Sequence, residues 1–160
     1  MGRSDRGATE TVPAAVRHGP QRRERLVELK PKPPTQKGPA ETFTGDVWLD
    51  PIYRGEEPSR ARANLVRFSP GARTAWHSHG RGQMLYVTEG AGRMQARGHK
   101  VVEIHAGDLI YTPPDEEHWH GASPSHLLVH LSITESTGEP GRPDTEWGEK
   151  VTDAEYGGEA

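Results

Sequence analysis

A chain of 160 residues is long enough for one hydrophobic core and short for two. Only 31% of it is hydrophobic, while 19 Gly and 14 Pro punctuate it, which favours strands joined by many turns over a helical bundle. The formal charge is −3 and there is no cysteine, so a disulfide framework and a thiolate metal site are both excluded, and any metal ligand must be imidazole, carboxylate, amide or water.

Residues 1–39 carry nine Lys/Arg against four Asp/Glu and are polar and Pro-rich, so a disordered basic tail is expected there. QRRERLVELK, residues 21–30, has the makings of a short helix that PKPP would end, because proline supplies no amide donor. The arm has neither aromatic residues for stacking nor a recognition-helix pattern, so nucleic acid is not an expected partner. No apolar run reaches the roughly 18 residues of a membrane span, and no apolar h-region follows the basic start, so the expectation is a cytoplasmic protein without a membrane partner.

Residues 40–136 change character. DVWLDPIY, ANLVRF, RTAWHSH, QMLYVTEG, GRMQARG, KVVEIHAG, DLIYTPP, EHWHGA and HLLVHLSI are short β-type segments separated by turn residues, the spacing of a closed or sandwiched antiparallel sheet. The third stretch, 137–160, is acidic. In it VTDAEYGG offers a Thr or Asp N-cap and a Gly stop, predicting one short helix.

Eight of the nine histidines lie between residues 77 and 130. On a strand, residues two apart share a face, so His77 projects with His79 and His118 with His120. Two such pairs in a barrel-like sequence point to a shared metal ion rather than to two unrelated surface pairs. Gly71 stands six residues before His77, Gln83 four after His79 and Gly90 seven further on. Gly107 stands six before Pro113, and Pro113 five before His118.

This spacing resembles the two motifs of the cupin superfamily, G-x5-H-x-H-x3,4-E-x6-G and G-x5-P-x-G-x2-H-x3-N. The resemblance implies an all-β jelly-roll barrel, a double-stranded β-helix, with one divalent metal per chain on His77, His79, Gln83 and His118. Gln83 stands where most cupins have glutamate, Asp115 replaces the second-motif glycine, and the final Asn is absent, Gly121 being followed by Ala122. Three neutral imidazoles and an amide would leave the full +2 charge of the ion uncompensated, making it a stronger Lewis acid held less tightly.

KGPAETFTGDVWLDPIY, SPGARTAWHSHGRGQMLYVTEGAG, GDLIYTPPDEEHWHGASP and HLLVHLSITE are similar to the small manganese-dependent cupin hydroxynitrile lyases. This resemblance implies Mn²⁺, with Fe²⁺, Co²⁺, Ni²⁺ or Zn²⁺ as alternatives. It also implies reversible cleavage of a small-molecule cyanohydrin, with His120 and His130 as acid/base residues beside the metal and a pKa near neutrality suiting His120 to both tasks. Strand parity leaves the direction of His130 open, and a backbone carbonyl could equally satisfy it. His99, His105 and His126 lie near turns and are expected on the surface. Trp76, Trp119, Met84 and Leu128 are candidates either for an apolar substrate lining or for plain packing. ETFTGDVWLD resembles the edge strand that family members exchange, implying a homodimer or higher homo-oligomer. The same metal site would also suit a dioxygenase, a polyketide cyclase or isomerase, or a small-molecule sensor.

Overall fold

The structure, a computed structural model, describes residues 27–158. Of the candidate helix over 21–30, residues 21–26 lie outside that range and residues 27–30 are not helical. Eleven strands and one helix follow in chain order: β1 (Gln36–Lys37), β2 (Phe43–Thr44), β3 (Val47–Arg54), β4 (Ala61–Phe68), β5 (Arg73–His79), β6 (Gln83–Ala96), β7 (Val102–His105), β8 (Leu109–Thr112), β9 (His118–Ala122), β10 (Leu128–Glu135), β11 (Thr145–Lys150) and α1 (Asp153–Gly157). Among the described residues no helix is long and apolar enough to cross a membrane.

All pairings are antiparallel. One sheet runs β1-β3-β4-β10, then the first half of β6, then β8. The other runs from β7 through the second half of β6 to β9 and β5, whose far edge is taken by β2 and then by β11. The jelly-roll barrel expected from the sequence is therefore the fold. QMLYVTEG and GRMQARG, which read as two strands, form one continuous strand that leaves the first sheet and enters the second near Gly90. Gly90 makes that crossing at φ +83°, and a Cβ there would lie 1.9 Å from the Leu127 carbonyl oxygen. Strain and clash together should cost about 2 kcal/mol or more, so Gly90→Ala is expected to lower the melting temperature by about 5–10 °C in a thermal scan.

Pairing begins at Gln36 and extends to Lys150, so stretches assigned from composition to a tail and to an acidic extension both contribute strands to the barrel. Between the sheets Phe43, Val47, Val66, Phe68, Val87, Ile104 and Leu128 form the core. A second cluster, Trp76, Trp119, Val151 and Tyr156, lies apart from it. The histidines and tryptophans of HSH, WH and HWH alternate, so when the imidazoles face the barrel interior Trp76 and Trp119 must face away. They do, and α1 covers them: Tyr156 donates to the Ala122 carbonyl at 2.6 Å, and Arg73 donates to Asp153 at 2.6 Å. Neither tryptophan lines a substrate cavity. Met84 points outward, 39% exposed, and Leu128 belongs to the core, so these four residues pack or face solvent.

The helix has the capping chemistry read from VTDAEYGG. Thr152 is its N-cap in a capping box with Glu155, and Gly158 ends it in the left-handed conformation at φ +77°.

Candidate metal centre

The ladder itself assembles the cluster. On β5 the alternation HSH puts His77 and His79 on the inner face, and the β5–β9 register sets His118 opposite His77. Ring centroids are 4.4 Å apart for His77 and His118, 5.1 Å for His77 and His79, and 5.9 Å for His79 and His118. One ring nitrogen from each lies within 4.8 Å of the others, and all three side chains are buried. Gln83, the first residue of β6, brings its Oε1 to 2.9 Å from His118 Nε2, while its Nε2 donates to Ser132 Oγ at 3.0 Å. The four positions named from spacing thus meet in space.

Two turns bring the strands to this point. The His79 carbonyl accepts from Gly82 N at 3.0 Å and from Asp115 N at 2.9 Å, tying the two motifs together. Asp115 takes φ +62°, the left-handed conformation that the usual glycine would supply, and Arg142 Nη2 donates to its carboxylate at 2.8 and 2.9 Å. The departure from the motif therefore changes the residue and not the turn.

Hydrogen bonds fix which nitrogen of each ring is free. Nδ1 of His77 lies 3.0 Å from the Ala75 carbonyl and Nδ1 of His118 2.9 Å from the Glu116 carbonyl, so in the neutral rings Nδ1 carries the proton and Nε2 the lone pair. His79 Nδ1 is 3.1 Å from Thr145 Oγ1, and its Nε2 is buried without a partner. Burial holds His77 well below the usual histidine range, helped by the neighbouring His118 and His79, and also lowers His118. His79 falls to about 4, chiefly through burial and then through His118. At neutral pH all three offer unprotonated nitrogens.

These residues fit a divalent cation. With its proton on Nδ1, His118 turns a lone pair toward Gln83 Oε1, so two acceptors face one another at 2.9 Å beside the orphaned His79 Nε2. Such a cluster is costly to bury as it stands, and a cation accepting from all of them resolves it. Imidazole and amide oxygen suit first-row divalent metals.

A second imidazole pair adjoins the first. His120 follows His118 on the inner face of β9, its ring 5.2 Å from His77, and its Nδ1 is 3.1 Å from His130 Nε2. His130 faces inward on β10 with Leu128 and Ser132, settling the direction that parity left open. Its Nε2 meets His120 Nδ1, a side-chain partner that the backbone-carbonyl reading does not supply. His120 Nε2 and His130 Nδ1 are buried without partners. Burial, with His130 and His77 next in effect, holds His120 well below the ordinary range, and burial lowers His130 to about 4. The near-neutral pKa expected of His120 is thus corrected: a buried imidazole among four others resists protonation. His99, His105 and His126 are exposed, as expected.

Both imidazole groups open onto a cavity of about 130 Å³ whose apolar wall includes Phe43, Leu49, Val66, Phe68 and Trp147. The motifs pointed to none of these five, nor to Thr145 and Ser132. The one available signal was the T-x-W alternation of TEWGEK, which places Thr145 and Trp147 on one face of a strand.

The Cupin_2 family, described as a cupin domain, matches residues 64–132. A protein of Granulicella tundricola, an (R)-mandelonitrile lyase, is 47% identical over 120 residues, covering 75% of this chain and 89% of its own. Among solved structures, a cupin-like protein of Thermotoga maritima is 41% identical with a TM-score of 0.69, covering 75% of this chain and 89% of its own. A polyketide cyclase of Streptomyces resistomycificus shares the fold at 18% identity and a TM-score of 0.59, over 82% of this chain and 89% of its own. With its barrel, its two motifs and these relatives, the chain belongs to the cupin superfamily.

Proposed function

We propose that this cupin is a metal-dependent hydroxynitrile lyase that splits an aromatic cyanohydrin into an aldehyde and hydrogen cyanide and runs the reverse addition. The observation that carries the reading is the pairing of a three-imidazole, one-amide cluster with a separate, unprotonated imidazole dyad in one cavity. The 47% identity to an (R)-mandelonitrile lyase supports it. Residues His77, His79, Gln83 and His118 would hold a divalent ion, Mn²⁺ by resemblance, which supplies Lewis acidity that favours ionisation of the substrate hydroxyl.

The chain's own groups account for the proton. We assign to the 3.1 Å contact of His120 with His130 the direction His120 Nδ1–H to His130 Nε2, which would leave a lone pair on the unpartnered His120 Nε2, and that nitrogen would remove the hydroxyl proton. As the carbonyl C=O forms, the bond to the nitrile carbon breaks and its electron pair leaves with cyanide. The proton on His120 Nε2 then passes to cyanide, giving HCN and restoring the base. Its low pKa suits the second transfer, since a weakly basic imidazole gives its proton up readily. The cavity is close to the roughly 150 Å³ that holds one benzene ring, which favours an aryl substituent against Phe43, Phe68 and Trp147. Exposed Trp48, Ile52, Tyr53 and Tyr86 on the first sheet make that sheet our proposed face for a homodimer.

The test is direct. Protein stripped with a chelator and reloaded with Mn²⁺ should release benzaldehyde from mandelonitrile without consuming O₂, while His77→Ala should bind no metal by elemental analysis and release none. Oxygen uptake with turnover would overturn the lyase reading, and full metal content in His77→Ala would overturn the ligand set.

A further inference from the structure

Strand β11 lies beyond the stretch matched by the family, yet two of its side chains reach the imidazole cluster. Across the β5–β11 ladder Thr145 is opposite His79 and Trp147 opposite His77. Thr145 Oγ1 is 3.1 Å from His79 Nδ1, and the Trp147 ring lies 4.8 Å from that of His77 at an interplanar angle of 30°.

The three clustered imidazoles differ in what orients them. His77 and His118 each bond through Nδ1 to a carbonyl two residues earlier in the chain, an anchor present wherever the local backbone is formed. At His79 the Nδ1 contact is instead with a side chain of another strand, Thr145 Oγ1, and the backbone of Asp144, one residue earlier, also hydrogen-bonds the ring, so both anchors of His79 come from the segment that enters β11. In the neutral ring, Nε2 offers a lone pair only when Nδ1 carries the proton and donates it. That is the nitrogen left buried and unpartnered in His79.

We propose that Thr145 is a positioning residue for the metal centre: accepting from His79 Nδ1–H, it fixes the tautomer that turns Nε2 to the ion, so that docking of β11 is part of metal binding. The inference rests on reading the His77, His79, Gln83 and His118 cluster as a divalent-cation site and is independent of the cyanohydrin chemistry. The strand is placed to do this, because it is fastened at both ends. Asp144 accepts from Ser136 Oγ and Thr137 N, each at 2.8 Å, and Glu149 accepts from Arg97 Nη2 at 2.6 Å. Linkage is reciprocal, so a bound cation should in turn hold β11 to the sheet.

Calorimetric titration of Mn²⁺ into the chelated full chain, without substrate, tests this. Thr145→Val keeps the branched shape and loses the hydroxyl, and should weaken Mn²⁺ binding about 10–100-fold, while Thr145→Ser should stay close to the unaltered chain. Hydrogen exchange supplies the second readout: Mn²⁺ should slow exchange of the 145–150 amides, and less so in Thr145→Val. Unaltered affinity in Thr145→Val, equal losses in the Val and Ser variants, or exchange in β11 that ignores Mn²⁺ would each overturn the proposal while leaving the cation site standing. Failure of the unaltered chain to bind Mn²⁺ would overturn the cation site and this inference together.

Discussion

Replacing His120 with alanine should leave a metal ion in place and lower mandelonitrile cleavage by about 10²–10⁴-fold, the range that one positioned acid/base group supplies. The separation of these two outcomes follows from geometry. His120 shares the inner face of β9 with His118, yet its Nδ1 is committed to His130 and its Nε2 is outside the group of nitrogens that converge within 4.8 Å. His77, His79, Gln83 and His118 lose no bond when it is removed. His130 touches the reaction through His120, so His130→Ala should cost less than His120→Ala and should reduce kcat more than it raises KM. Metal content by elemental analysis and initial rates of benzaldehyde formation decide the matter. Near-normal turnover in His120→Ala would remove its role, and a larger loss in His130→Ala would transfer that role to His130.

Strand geometry turns spacing into direction, so the shared faces of His77 with His79 and of His118 with His120 were legible in the sequence, whereas the choice of Gln83, and of His118 over His120, as candidate ligands came from the resemblance to the cupin motifs. An H-x-H repeat on a strand has only one way to place both rings on the same face, and two such repeats in a small barrel have little else to converge on. Other features were not encoded at that range. The direction of His130 depended on which face of β10 meets β4 and β6, a long-range pairing that alternating apolar residues on both faces of HLLVHLSI left open. Thr145 joined the site through a ladder between residues 66 apart in the chain, with no spacing rule connecting it to His79. Trp76 and Trp119 show the opposite case. Their alternation with the histidines already placed them on the far face of the sheet, and only aromatic character had suggested a lining. The low pKa of His120 also lay beyond sequence reading, since it arises from burial among imidazoles contributed by β5, β9 and β10.

The second large effect concerns the metal-free protein, whose stability should fall as pH drops from about 6.5 toward 4. Five histidines, His77, His79, His118, His120 and His130, have folded-state pKa values below the ordinary 6.5, and for His79 and His130 the value is about 4. Between those limits the unfolded chain binds protons that the folded chain refuses. The slope of unfolding free energy with pH is then positive, so the loss begins below about 6.5 and, for His79 and His130, ends as those rings themselves protonate near 4. Each fully shifted histidine contributes about 1.4 kcal/mol per pH unit inside the window, a large share of a total stability of roughly 5–15 kcal/mol. Carboxylates held low by their partners, Asp144 by Ser136 and Thr137 and Glu155 by Thr152, add loss of the same sign in the lower range of ordinary carboxylates. The upper half of the window therefore belongs to the imidazoles. Urea titrations of the chelated chain at pH 7, 6 and 5 should give midpoints that fall with little change in slope, whereas a flat midpoint across that range would mean that the five rings are not buried together. Mn²⁺ should raise the midpoint at pH 7 and do so less at pH 5, because protons and the cation compete for the same lone pairs.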